Sequence, residues 1–443
     1  MPRMNKAAIY TLGCKANQYE SEAISEALTS NGFEITENGA DVAVINTCTV
    51  TAEADRKCRQ TIRRAAKENP GAALFVTGCM AQVAPNAAAS IPGVVFVCGN
   101  GNKMQLVDKI KAWASGSFRP EKPAVLVESL DDAAFEPMCI RRSERTRAYI
   151  KVEDGCESMC AYCIIPQARG PIRSKKPEEV LREAKGLVAA GYKELVLTGI
   201  EVSAYGKDLE NTDLGDLVQM LNAIPGIERI RFPSTDPASM KPAFIDKIAG
   251  CEHLAPHFHL SLQSGCDRTL NAMKRRYNVD MVKRYVAYTR ERIPGVQFTA
   301  DVIVGFPGES DKDFAATCAF LHELGLLSAH VFAYSRRPGT LADSLPDQIP
   351  EAIKHRRSEY LIEQCAAEKD RILREFAKSH TIVEALVETQ ESGKAIGRLG
   401  NYVEIELAAD ESEDLRGRIL PVALLPCPDQ RIDKLFGKII EST

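Results

Sequence analysis

From about Asn5 onward the chain repeats one pattern: a short apolar run, then a longer stretch with helical spacing. Such alternation dictates parallel sheets, because two parallel strands must be joined by a crossover, usually a helix. The pattern lapses between about Ser117 and Arg142, where Pro, Asp and Glu gather without periodicity, and it stops before Thr381. The chain therefore reads as an α/β protein in three parts. The first, residues 5–116, has predicted strands Ala7–Leu12, Val42–Asn46, Ala73–Thr77 and Val94–Val97 and helices Gln18–Ser30, Glu53–Glu68 and Lys103–Ala114. That is an open parallel sheet covered on both faces. The second, residues 142–372, has predicted strands Tyr149–Val152, Glu194–Thr198, Arg229–Phe232, His257–Leu260, Gln297–Val304 and Ser328–Phe332, with helices such as Glu178–Ala190 and Asp311–Leu324 between them. Six βα units cannot close an eight-stranded barrel, so a partial (β/α)6 barrel is expected. A long amphipathic helix opens at Pro350, where proline suits the first turn, and runs towards Lys378. The third part, residues 375–443, changes to alternating or β-branched runs (Thr381–Val387, Tyr402–Leu407, Gly417–Val422), the pattern of a small antiparallel β-barrel.

No apolar run approaches the ~18 residues of a membrane span, and the N-terminus lacks a signal-peptide core. A cytoplasmic protein with no membrane partner is expected. In reducing surroundings its 14 cysteines stay free for metals or catalysis. A net charge of −4 excludes an all-over basic nucleic-acid binder, so any RNA surface must be local. Basic residues gather at Arg141–Arg147, Arg169–Lys176, Lys274–Arg276 and Arg336–Arg337. Several flank the expected mouth of the barrel, where phosphate contacts would fall, although each also suits plain solvated surface.

Two sets of cysteines carry chemistry. Cys156, Cys160 and Cys163 are spaced Cys-x3-Cys-x2-Cys just after the first strand of the partial barrel, at the end where active sites gather. Three thiolates this close suit a cuboidal 4Fe-4S cluster. A closed zinc site normally asks for four ligands, so one position is left open. The second set is spread out. Cys14, Cys48 and Cys79 each lie just past the carboxyl end of a predicted parallel strand, and in an open α/β sheet those ends line one crevice. They should converge into a second three-thiolate site. Cys98 ends a strand in the same way, so the residues alone leave open which three converge.

A resemblance narrows these readings. Cys-x3-Cys-x-aromatic-Cys, with Tyr162 as the aromatic, is the radical SAM (S-adenosylmethionine) signature, and CAYCIIPQARG at 160–170 resembles the methylthiotransferase branch of that superfamily. The resemblance implies that Cys156, Cys160 and Cys163 hold a 4Fe-4S cluster. Its fourth iron chelates SAM, and one electron cleaves SAM to methionine and a 5′-deoxyadenosyl radical. Further SAM contacts are implied at Gly199 and Glu201 after the second strand, Gln263 after the fourth, and Ile303 and Gly305 after the fifth, with Tyr162 beside the cluster. Ile200 departs from the usual glycine-rich string. TLGCKANQYES, INTCTVT and VTGCMAQ resemble the family's N-terminal domain, where the cysteines matching Cys14, Cys48 and Cys79 hold an auxiliary 4Fe-4S cluster that carries the donated sulfur. The other eight cysteines (Cys58, Cys98, Cys139, Cys251, Cys266, Cys318, Cys365 and Cys427) then read as structural. The last part resembles the TRAM domain, an RNA-binding appendage, with Tyr402 in a motif where it stacks or packs.

YTLGCKANQYES, CAYCIIPQARG and YSRRPGTLA look like the branch acting on tRNA N6-threonylcarbamoyladenosine, 3′ of the anticodon; Ala16 and Glu201-Val-Ser203 depart from its usual strings. The implied reaction turns adenine C2–H into C2–S–CH3 with two SAM and two clusters, fed by an electron donor such as flavodoxin or ferredoxin. Alternatives are isopentenyladenosine in tRNA, a ribosomal protein, or another radical outcome such as methylation. A non-enzymatic iron-sulfur RNA-binding protein is the remote one. No catalytic residue beyond the cluster ligands is expected: none of the seven histidines is placed like a base.

Overall fold

The computed structural model describes residues 5–143, 145–232, 234–409 and 413–440. Residues 410–412 and 441–443 of the expected third part, and Glu144 of the Arg141–Arg147 run, lie outside them.

The first sheet has six parallel strands in the spatial order Glu34–Ile35, Lys6–Thr11, Val42–Thr47, Ala73–Gly78, Val94–Cys98, Ala124–Leu126. The last comes from the stretch that lacked periodicity: three residues, too short to show a period of two, pair with Phe96–Cys98. Alternate residues feed two cores. Ala8, Ile45, Leu74 and Val76 pack on one face; Ala7, Val44, Phe75 and Phe96 pack on the other. A parallel sheet buried on both faces requires both. The helix Ala52–Glu68 shows the local logic. Thr51 caps it by accepting from the Ala54 N–H at 3.0 Å, and Glu53 and Asp55 lie in its first turn, against the positive end of its dipole.

The central strands form two three-stranded parallel sheets. One runs Arg229–Arg231, Glu194–Thr198, Ala148–Lys151; the other runs His257–Gln263, Gln297–Val304, Ser328–Ala333. The bridges Ile230–Leu254 and Thr235–Leu260 link them into an arc. Its edge strands, Ala148–Lys151 and Ser328–Ala333, do not pair with each other, so the barrel is partial. In the second sheet Phe258, Leu260, Phe298, Ala300 and Val302 pack into the main core. The alternate side chains, His257, His259, Thr299, Asp301 and His330, point into the arc. The 29-residue helix Glu351–Ser379 packs on the strand Ser328–Ala333.

The last five strands close a small barrel in the order Ile382–Glu391, Lys394–Leu399, Glu404–Ala408, Leu435–Ile439, Ile419–Leu424. Its pairings are antiparallel except Glu404–Ala408 with Leu435–Ile439. The barrel is seated on the foot of the central arc. Arg229 Nη1 and Arg231 Nη2 donate to the carbonyls of Arg398 (3.3 Å) and Leu399 (3.4 Å). Among the described residues no helix is long and apolar enough to cross a membrane.

Candidate active site

Cys14, Cys48 and Cys79 follow three neighbouring parallel strands, as cap of the helix Lys15–Ser30, in the turn after Thr47, and as first residue of the helix Cys79–Val83. Gly13 brings two of them together: a Cβ there would lie 2.9 Å from Cys48 Cβ and 3.2 Å from its Sγ. Cys98 turns away, its thiol donating to the Asn102 carbonyl at 3.1 Å within the opposite core. Cys58 exchanges contacts of 3.2 Å with the Cys48 peptide N–H and carbonyl. Among the described residues no three His, Cys, Asp or Glu side chains can hold a metal ion between them. A cuboidal cluster does not ask that, since each thiolate meets a different iron.

The strongest electrostatic feature joins this set to the cysteine loop. Arg169, fully buried at the end of the helix Ile165–Arg169, donates through Nε to Cys79 Sγ at 3.2 Å. Its Nη1 meets Glu20 Oε1 at 2.6 Å, and its Nη2 donates to Asn17 Oδ1 at 2.5 Å. Glu20 also pairs with Lys103 (2.8 Å) and Lys151 (2.6 Å). Asp154 takes Lys151 (2.6 Å), Arg169 (3.2 Å) and Arg173 (3.6 Å). Burial works to raise the Glu20 carboxyl, but the charges of Arg169, Lys103 and Lys151 hold it well below the usual range. Four buried cations thus share two carboxylates, with Glu136 as a further neighbour of Lys103 whose carboxyl burial pushes up. Buried charge needs a counter-charge. A thiolate at Cys79, against Arg169, supplies one, so the donor set fits an anionic iron-sulfur cluster.

The loop of Cys156, Cys160 and Cys163 also fits. The N–H groups of Ser158 and Ile165 point at Cys156 Sγ and Cys163 Sγ, each at 3.4 Å, and Arg275 Nη1 lies 3.0 Å from Cys160 Sγ. Each sulfur has a donor that favours its thiolate. Burial pushes Cys156 up to about 11 and Cys163 up to about 12. Without metal these are neutral thiols at pH 7, and binding iron releases their protons. Gly155 admits the loop: its φ is +94°, and a Cβ would sit 1.8 Å from the Pro171 carbonyl oxygen.

The remaining sequence-derived positions divide. Glu153, whose carboxyl burial pushes well above the usual range, accepts from the N–H groups of Ile200 (2.9 Å) and Glu201 (2.7 Å), fixing the turn that starts at Gly199. Glu201 accepts from Ser203 and borders a cavity of about 540 Å³ lined also by Ser158, Asp236 and Arg276. Burial, and then Asp236, raise its carboxyl. Gln263 sits at a bulge with φ +64°. Tyr162 and Ile303 both pack against the small cluster that includes Ala161, Phe306 and Tyr334. Gly305 is covered instead: a Cβ there would lie 2.4 Å from Lys354 Cγ, so its bare face serves the packing of the long helix.

Several sequence expectations change. Arg169, Arg173, Lys175 and Arg337 are buried in ion pairs rather than offered to phosphate. Arg275 braces Asp236 (2.9 Å) and the Ser261 carbonyl (3.0 Å). Of the two roles expected for Tyr402, stacking or packing, the structure shows packing, on His257 beneath the arc. His257, His259 and His330 line the interior, with His259 Nε2 3.2 Å from Asp301. The alternation His257-Phe258-His259 carried that signal in the sequence, since a strand puts residues i and i+2 on one face.

A parallel arc with a cysteine loop at its strand ends defines a radical SAM enzyme, and the Radical SAM superfamily model matches residues 150–321. The model of the Uncharacterized protein family UPF0004 matches residues 6–99. A threonylcarbamoyladenosine tRNA methylthiotransferase MtaB of Bacillus subtilis is 36% identical over 99% of this chain and 98% of its own length. The one of Aquifex aeolicus is 39% identical over 81% and 87%. A tRNA-2-methylthio-N(6)-dimethylallyladenosine synthase of Clostridium perfringens is 34% identical over 98% and 97%. The solved radical S-adenosylmethionine methyltransferase TsrM from Kitasatospora setae, with cobalamin and a 4Fe-4S cluster bound, shares the fold, with a TM-score of 0.58 at 16% identity over 77% of this chain and 74% of that one. The chain belongs to the radical SAM methylthiotransferases, transferases that modify tRNA, and this class brings SAM and a 4Fe-4S cluster.

Proposed function

We propose that this enzyme converts tRNA N6-threonylcarbamoyladenosine, 3′ of the anticodon, to its 2-methylthio derivative. It works in the cytoplasm with two SAM, two 4Fe-4S clusters and a donor such as flavodoxin or ferredoxin. Cys14, Cys48 and Cys79 hold one cluster; Cys156, Cys160 and Cys163 hold the other. The parts at 5–116, 142–372 and 375–443 act as cluster-bearing, radical-generating and RNA-holding domains. The observation that carries the reading is Arg169, which binds Cys79 and lies six residues beyond Cys163, so one buried side chain ties both thiol sets to one interior.

When bound, the clusters and SAM supply the electron, the C–H-cleaving radical and the sulfur. The chain's own residues do the rest. Backbone N–H groups, Arg169 and Arg275 favour thiolates. Glu153 shapes the turn that carries Glu201, which would accept from the methionine ammonium of bound SAM. Phe306 and Tyr334, with Tyr162 and Ile303 packed against their cluster, give the loop an apolar flank.

The substrate choice draws on relatives named for threonylcarbamoyladenosine. Relatives named for dimethylallyladenosine favour that nucleoside as the second reading. Mass spectrometry of tRNA nucleosides from a deletion strain decides. Loss of 2-methylthio-N6-threonylcarbamoyladenosine is expected; its persistence, with loss of the dimethylallyl form, would overturn the choice.

A further inference from the structure

The foot of the arc gathers cations that the reaction centre does not use. Tyr402, just after the strand Lys394–Leu399, stacks on His257 with ring centroids 4.5 Å apart and planes at 14°. The guanidinium groups of Arg398 and Arg231 lie 4.6 and 5.0 Å from its ring centre. Burial works to raise the Tyr402 phenol, yet the charges of Lys15, Arg398, Arg147 and Arg231 outweigh it and hold the phenol below its ordinary value. A phenol held down in this way marks a place where negative charge is favoured.

The nearby carboxylates are already engaged. Glu194 is held by Arg229 (3.0 Å) and Arg231 (2.7 Å), Glu388 by Arg147 (2.8 Å) and Arg398 (3.2 Å), and Glu404 by Arg398 (2.8 Å). Lys15, whose ammonium burial pushes down, feels Tyr402, Arg147, Arg231 and Asp301, of which only Asp301 carries a carboxyl group, and that group pairs with His259 at 3.2 Å. Among the described residues, Nη1 of Arg231 is buried without a hydrogen-bond partner, in a side chain 2% exposed, while burial and the charge of Arg231 hold the stacked His257 ring neutral. A buried donor without a partner calls for a ligand that supplies one.

The depth is also informative. Thr299, bonded to His257 at 2.9 Å, marks the foot, and Ile303, packed on the cluster that holds Ala161 of the cysteine loop, marks the level of that loop. They lie four residue steps apart on one strand, ~13 Å at about 3.3 Å per residue. A ligand filling that depth has its reacting atom at one end and an anion at the other. An adenine with an extended, acid-terminated substituent on N6 has this form.

We propose that Lys15, Arg231 and Tyr402 form a carboxylate pocket that reads the acidic end of the N6 substituent and so selects carboxylate-bearing adenosines. This rests on the substrate reading above. An apolar dimethylallyl group would leave the same cations desolvated against hydrocarbon, so the pocket rejects that substrate as well as favouring the acid.

The test uses anaerobically reconstituted enzyme and an anticodon stem-loop carrying threonylcarbamoyladenosine, either as the free acid or as its methyl ester. The wild type should bind the acid about tenfold or more tighter, the range of a hydrogen-bonded charge. Lys15→Met should bind both alike, and Lys15→Arg should restore the preference. Tyr402→Phe, which keeps the stack on His257 and is remote from Cys14 in sequence, should weaken the preference even if Lys15→Met loses iron. An undiminished preference in Lys15→Met and Tyr402→Phe, or none in the wild type, overturns the pocket. Wild-type turnover separates the two readings. Turnover of acid and ester alike removes the pocket and leaves the substrate choice standing. Turnover of only a dimethylallyl stem-loop removes both.

Discussion

Arg169 Nε donates to Cys79 Sγ across 3.2 Å, although 90 residues separate them in the chain. Arg169 ends the short helix that follows the cysteine loop, so this contact fixes the loop against the first sheet. The two thiol sets hold their mutual position through a side chain that water does not reach.

Removing that charge should therefore do more than trim a surface arginine. Arg169→Met removes the charged donor that Cys79, Glu20, Asp154 and Asn17 share in a dry site. A loss of about 3–5 kcal/mol is expected, along with iron from the Cys14, Cys48, Cys79 site. Thermal unfolding and iron analysis of the anaerobically purified variant check both. Wild-type stability with full iron would refute the role.

Iron content also tests the pairing of thiols. Reconstituted wild type should carry about eight iron and eight sulfide per chain. Replacing Cys14, Cys48 and Cys79 by Ala should leave about four, as should replacing Cys156, Cys160 and Cys163, while Cys58→Ala and Cys98→Ala should leave all eight. Loss of iron in Cys98→Ala would mean that a different three converge.

How much of this was legible in the sequence follows the range of each interaction. Strands, helices and the cysteines at strand ends are local signals, and Cys14, Cys48 and Cys79 do sit at neighbouring strand ends. The buried ion pairs are not local. Arg169 and Glu20 lie 149 positions apart, and nothing near either tells a buried arginine from a solvated one. Arg173, Lys175 and Arg337 looked like surface for the same reason. The strand Ala124–Leu126 is recruited by the edge beside it rather than by its own pattern.

Acid should loosen the foot of the arc. Burial alone would raise Glu194, but Arg231 and Arg229 bring it from 4.5 to about 2. A carboxyl lowered on folding stabilises the fold above its unfolded value and loses that contribution as pH falls towards its folded one. Between pH 7 and pH 3 the wild type should lose about 2 kcal/mol through this group. Urea unfolding of Glu194→Gln at the two pH values should lack that increment, whatever its stability at pH 7. An equal pH slope in the two proteins would exclude the assignment.

Phe332 is paired in register with Ile303 at the open edge of the arc, yet 52% of its surface is exposed. An aromatic there suits stacking on a base, worth roughly 1–3 kcal/mol. Phe332→Ala should weaken stem-loop binding by about tenfold while moving stability by less than about 0.5 kcal/mol. Unchanged affinity in an anisotropy titration would rule out stacking.

The seat of the last barrel has one more consequence. Arg229 and Arg231 grip its carbonyls from within the central sheet, and Glu194 holds both arginines. The barrel is thus keyed to its neighbour and does not swing on a tether. An RNA held on its outer face is presented at a fixed reach from the interior. The enzyme then measures where to act as a gauge block does, by span, and needs few contacts to the bases in between.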